Sequence, residues 1–258
     1  MIKGLYTAGA GMMLQMARQD VVANNLANVN TGGYKKDETI CQAFPEMLIS
    51  RLGDTKKNAL GQDIILPPVP IGSLSTGAIV KDIVTDHSSG NIKYTENNTD
   101  LAISNEGYFV IRTPEGERFT RNGAFKINDV GVLVNDQGYP VIDNNNNPIE
   151  LQGEFSVDKA GNILVDNQVI TKLKIAVFAD KRFLQKQGDS NMNPRGQTYT
   201  EPQNPGVLQG YQEISNVNAV QEMVKLISVM RAYESCQKVV QAEDETMGVA
   251  IDQVGAVN

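Results

Sequence analysis

The chain has 258 residues, 41% of them hydrophobic, which is enough to bury a core in one large domain or two small ones. Its net charge of −7 argues against a nucleic-acid partner, and no polybasic run points to an anionic membrane. Two distant cysteines, Cys41 and Cys236, make no disulfide framework or metal cluster, and a catalytic triad would have to use the one histidine, His87, which nothing in the run Asp86–Gly90 supports.

Residues 2–30 read as one helix. Leu5, Met12, Gln19 and Leu26 form one seven-residue row, and Ala8, Gln15, Val22 and Val29 a second, a seam for another helix. Glycines at 4, 9 and 11 interrupt the apolar start, so a cleavable signal peptide is not expected, and no apolar run reaches the length of a membrane span. Asn24, Asn25 and Asn28 sit beside the Val22–Leu26–Val29 stripe. Asparagine is a mediocre helix former, so these amides are expected to find partners on a neighbouring helix or backbone once that border is packed. Thr31-Gly32-Gly33 stops the helix, and Lys35 and Lys36 follow near the negative end of its dipole.

Residues 37–100 read as an extended linker with short strands, including Asp63–Leu66 and Ala78–Val80, around the proline-stiffened Leu66–Pro70. Residues 101–213 read as a central antiparallel β domain, from many short apolar runs broken by Gly and Asn turns. Asn122-Gly123 predicts a type I′ hairpin between Phe119-Thr120 and Ala124–Ile127. An internal echo aligns Phe125–Leu133 with Phe155–Ile163, two hairpins of one domain. Residues 214–258 read as a second long helix, with Asn218 as N-cap and Gln221 its capping-box partner. Leu226, Tyr233, Val240, Met247 and Val254 are seven apart, and Met223, Met230 and Ile251 share a second row that Gln237 and Asp244 interrupt. The fold class is therefore α+β: terminal helices, over 1–36 and 214–258, that pair as a coiled coil, and an all-β middle.

No catalytic, cofactor-binding or metal site is expected. Asp143, Asn145, Asn147 and Glu154 hold positions 1, 3, 5 and 12 of an EF-hand-like loop, but Pro148 stands where that loop requires glycine, and a polar loop between strands is the better reading. Glu243, Asp244 and Glu245 are consecutive on a helix and point in different directions.

Three blocks carry a resemblance: Ala23–Lys35; Gly107-Tyr-Phe109 with Phe119-Thr-Arg-Asn-Gly123; and Ser215–Asn218 with Glu222-Met-Val224 and Arg231–Glu234. Together, in this order, they resemble the flagellar axial proteins, the rod and hook family of the bacterial flagellum, and the modest length resembles its rod members. The resemblance implies a structural subunit, exported through the flagellum's own channel without cleavage and located in the basal body. Implied partners are copies of itself, other rod and hook proteins and the export apparatus, with no nucleic acid and no small-molecule substrate. It implies an assembly interface on the helices: Leu5, Met12, Val22, Asn24, Asn25, Leu26, Asn28, Val29, Met223, Leu226, Met230, Tyr233, Val240, Met247, Ile251 and Val254. The alternative is a secreted β-domain adhesin or carbohydrate-binding module with helical ends, which would call for exposed aromatics in a chain that is only 6% aromatic.

Overall fold

The computed structural model describes residues 2–57, 63–65, 67–151, 153–188 and 190–254. The fold is α+β: helix α1 (Ile2–Ala27), short strands, and helix α2 (Ala219–Val254). Two compact units form, one from Met1–Val22, Thr39–Ile83 and Val224–Asn258, the other from Ala23–Glu38 and Val84–Met223. Among the described residues no helix is long and apolar enough to cross a membrane.

In the first unit α1 and α2 run antiparallel. A Cβ at Gly4 would collide with the Glu243 carboxylate, and one at Gly11 would lie 3.1 Å from Cys236 Sγ, so a rise of seven residues on one helix matches a fall of seven on the other. On α2 the expected row Leu226, Tyr233, Val240 and Met247 is half-buried. Its companion row is one position earlier than expected: Glu222 and Val229 are buried, and Cys236, Glu243 and Ala250 half-buried. Met223, Met230 and Ile251 are 48%, 45% and 69% exposed. The physical reason is composition: the inward row carries two glutamates and a cysteine, so the apolar pattern points to the wrong side of the turn. The Val254 side chain lies outside the described residues.

The segment read as a linker is one nested β ribbon. Asp37–Ala43 pairs with Ala78–Thr85, Met47–Arg51 with Val69–Leu74, and Thr55–Lys57 with Asp63–Ile65. A two-stranded ribbon has only edge strands, which is why Pro70 is accepted inside one of them, opposite Ser50 beside a bulge.

The second unit holds both apolar cores. A five-stranded antiparallel sheet orders Ile175–Ala176, Tyr108–Thr113, Gly116–Thr120, Asn191–Asn193 and Gln185–Gln187. Along the strand Tyr108–Thr113 the side chains alternate. Phe109 and Ile111 enter a core with Phe125, Leu133, Val141, Ile149 and Ile163; Tyr108 and Val110 enter another with Phe119, Phe178, Leu184 and Met192.

Asn122-Gly123 is not a hairpin. Neither residue has the positive φ that a type I′ turn needs. Thr120 closes one sheet while Lys126–Ile127 pairs with Leu133–Val134. Gly123 is there because a Cβ would collide with the Leu101 carbonyl, and Leu101 N donates to Gly123 O at 3.0 Å.

The echo seen twice in the sequence occurs four times in space. Asn128, Asn135, Asp143 and Asp158 each use Oδ1 to accept the amide four residues on, at 2.8 Å in every case. The residue three places on is left-handed in each: Gly131, Gly138, Asn146 and Gly161. Between the first three loops the chain closes a ring of backbone bonds, Leu133 N to Ile149 O, Ile149 N to Val141 O and Val141 N to Leu133 O. The loop once compared with an EF-hand is thus one of these turns: Asp143 accepts from Asn145 N and Asn147 N through Oδ1, and from the Thr171 hydroxyl through Oδ2.

Candidate functional site

The blocks quoted above are distant in sequence and meet in one buried polar junction inside the second unit. Asn25, on the last turn of α1, is 1% exposed. Its amide pairs with the backbone of Asp37 as a neighbouring strand would: Nδ2 donates to Asp37 O at 2.8 Å and Oδ1 accepts from Asp37 N at 2.9 Å. The Tyr34 hydroxyl lies 2.9 Å from Asn24 Oδ1 and 3.2 Å from Asn25 Oδ1. Asn28 Nδ2 donates to Asn24 O and Oδ1, and its own Oδ1 accepts from Thr31 Oγ1. These amides find their partners within the chain, where the sequence pointed to a neighbouring helix, because the turn after α1 folds Tyr34 and Asp37 back onto it.

Lys35 does not serve the helix dipole. It is buried and donates through Nζ to Glu213 Oε1 at 2.6 Å and to Ser88 O at 2.7 Å. Glu213 Oε1 also accepts from Gly90 N, and Arg121 NH1 stands 3.5 Å from Glu213 Oε2. The Arg121 guanidinium is held by Ile103 O and Asn105 O. Burial lowers the Lys35 pKa, a pull that the Glu213 carboxylate opposes. Lys186 Nζ lies 3.9 Å from the centre of the Tyr34 ring while donating to Lys35 O and Asp37 Oδ2, a cation placed over an aromatic face. Asn216 closes the far side, accepting from Lys36 N at 2.7 Å and donating to Asp86 O at 3.0 Å. Two residues on, Asn218 Oδ1 accepts from Val220 N and Gln221 N and caps α2.

Gly33 permits this convergence. Its φ is +65° and a Cβ there would collide with the Arg121–Asn122 backbone, while its N–H donates to Glu213 O at 2.8 Å. His87, read as an isolated polar residue, shares a 2.9 Å hydrogen bond with the Tyr108 hydroxyl. Burial, with Lys35 and Lys181 nearby, pushes its pKa down to about 4, and burial pushes the Tyr108 phenol up.

Of the expected interface residues, the junction takes Asn24, Asn25 and Asn28. Val22 is buried; Leu5, Met12, Leu26 and Val29 are half-buried. Sequence reasoning missed Glu213, Lys186, Asp37 and Ser88. A lysine directly after the Gly-Gly-Tyr turn was the available signal for a carboxylate, but nothing local marks which one.

The junction is built for holding and carries no reaction: its charges are neutralised by fixed partners. Among the described residues no group of acidic, cysteine and histidine side chains is arranged to hold a metal ion.

Three family descriptions match the chain: "Flagella basal body rod protein" over residues 5–35, "Flagellar hook protein FlgE/F/G D1 domain" over 102–165, and "Flagellar basal body rod FlgEFG protein C-terminal" over 208–253. The first ends at Lys35 and the third includes Glu213. The flagellar basal-body rod protein FlgG of Agrobacterium fabrum is 32% identical, covering 96% of this chain and 98% of its own. FlgF of Caulobacter vibrioides is 30% identical over the full length of both. The flagellar hook-basal body complex protein FlhO of Bacillus subtilis is 29% identical, also over the full length of both.

Proposed function

The chain belongs to the flagellar rod and hook protein family and is a structural subunit of the basal-body rod, not an enzyme; from that premise we propose that it is a distal rod subunit. It polymerises with copies of itself into a helical tube that transmits torque from motor to hook. The adhesin reading finds no support among the relatives.

The observation that carries polymerisation is the apolar surface left on both helices. Tyr6, Met13 and Met16 on α1 are 72%, 74% and 52% exposed; Val220, Val224 and Ile227 on α2 are 70%, 61% and 53% exposed. Neighbouring copies cover these stripes, and a head-to-tail contact whose rotation does not close builds an open helical polymer. Within each subunit α1 and α2 pair as a coiled coil through Leu5, Met12, Leu226, Tyr233, Val240 and Met247. Met223, Met230 and Ile251 face other copies. The terminal helical domain then comprises 1–36 and 214–258, joined through 37–100 to the β domain 101–213. Other rod and hook proteins cap the stack, and the export apparatus delivers the chain without cleaving a signal peptide.

The test separates assembly from folding. Ile227→Asp and Val224→Asp place charges on exposed positions, so the purified monomer keeps its melting temperature within about 0.5 kcal/mol of stability. The same charges buried between copies abolish rod assembly and swimming. Normal rods in both mutants would remove the helical stripe from the interface.

A further inference from the structure

Beside the turn that joins Tyr108–Thr113 to Gly116–Thr120, a cavity of about 260 Å³ opens in the second unit. Glu115, Arg118, Gln137, Tyr139, Gln187 and Asn191 line it. That volume far exceeds the ~30 Å³ share of one water. It lies just below the roughly 300–1,000 Å³ of pockets for larger ligands.

The wall is fixed before any ligand arrives. Arg118 donates through Nε to Gln187 Oε1 at 2.6 Å, through NH2 to Glu115 Oε2 at 3.0 Å and through NH1 to Glu117 O at 3.0 Å. Gln187 Nε2 adds a 2.6 Å bond to Glu115 Oε2. The guanidinium is therefore engaged on every edge and neutralised, which makes the cavity a poor trap for anions. Tyr139 packs against the larger core, and its backbone amide is held by Asn135 Oδ1. Asn191 is 6% exposed and donates through Nδ2 to Gln137 Oε1 at 2.8 Å, but its Oδ1 is buried without a partner. A buried acceptor in that state calls for a donor.

We propose that this cavity is a subsite for one neutral pyranose sugar. Hydroxyl groups donate to Asn191 Oδ1 and exchange hydrogen bonds with Gln137 and Glu115, since each hydroxyl both donates and accepts. The ring's C–H face lies on Tyr139. The subsite adds a ligand to a structural subunit, and the rod assignment stands whether or not it exists.

The experiment is amide chemical-shift mapping of the labelled full-length chain, titrated with N-acetylglucosamine, methyl glucoside and, as anion control, inorganic phosphate. Concentrations run to about 50 mM, which covers millimolar dissociation constants. Shifts confined to 113–118, 137–139 and 187–191 are expected with at least one sugar and not with phosphate. Asn191→Leu weakens binding about tenfold, the loss of a buried hydrogen bond. Should Asn191→Leu fail to fold, Gln137→Ala at an exposed position gives the same reading. A spectrum unmoved by both sugars, shifts scattered elsewhere, equal response to phosphate, or undiminished affinity in Gln137→Ala would each overturn the proposal.

Discussion

Lys35 and Glu213 are both 1% exposed, so neither charge tolerates the loss of the other. Breaking a buried pair from one side strands the remaining charge, at about 3–5 kcal/mol. Glu213→Gln is therefore expected to lower the melting temperature sharply. The double change Lys35→Met with Glu213→Leu recovers much of it, because no charge is left buried; thermal melts of the three proteins decide the matter. His87 makes a separate prediction in pH. Its folded pKa, about 4, lies below the ordinary 6.5, so the unfolded chain takes up a proton that the folded one refuses. Its contribution is intact above pH 6.5 and is lost as pH falls toward 4. Lys35, Lys181 and Lys186 disfavour the imidazolium, Asp86 favours it, and the Tyr108 hydroxyl shares Nδ1. His87→Gln removes that slope, and after discounting for a half-buried ring the gap between the two proteins should change by about 1–2 kcal/mol between pH 7 and 4.5. A constant gap would deny the shift. The asparagines, by contrast, were legible as residues that need partners; that Asn25 would pair with the Asp37 backbone was not, because a turn twelve residues later supplies it.

At the scale of elements, both long helices and the all-β middle were legible, since apolar periodicity and Gly/Asn punctuation are local signals. The ribbon over 37–85 was not: its strands are mostly exposed, so no burial pattern marks them. The inward row of α2 was misplaced because Glu222, Cys236 and Glu243 occupy it. Asn122-Gly123 misled because glycine serves two needs, positive φ and close approach, and only the second applies there. Gly33 has both, which gives a paired prediction. Gly33→Ala is strained at φ +65° and collides with the Arg121–Asn122 backbone, whereas Gly53, at φ +86°, has nothing within 4 Å of its missing Cβ. Gly53→Ala is expected to cost about 1 kcal/mol and Gly33→Ala several times that. Equal chemical-denaturation midpoints for the two variants would mean that the convergence at Gly33 is looser than described.

For the whole molecule, the distribution of buried side chains sets how it comes apart. The largest fully buried side chains, from Tyr34 and Lys35 to Leu173, lie in the second unit. The first unit buries little: in the stretch 39–54 and 67–83 no residue is fully buried, and each helix leaves an apolar stripe uncovered. Segments held by few buried contacts open at low free energy and are cut first. Limited proteolysis of dilute monomer should therefore remove most of 1–22 and 224–258 and also cut within 39–83. The junction gives this digestion a signature. Residues 23–38 would be severed from the rest of their unit, yet Asn25–Asp37, Lys35–Glu213, Lys36–Asn216 and Lys186–Asp37 contacts tie that short segment into the fragment 84–223. The resistant product should migrate as one species under native conditions and release a small peptide beginning near Ala23 when denatured. Glu213→Gln should loosen the peptide without altering the cut sites in 39–83. A product lacking the peptide would show that the terminal motif is not held by the β domain in the free subunit, and resistance of 1–22 and 224–258 equal to that of 84–223 would show that the helices need no neighbours to be stable.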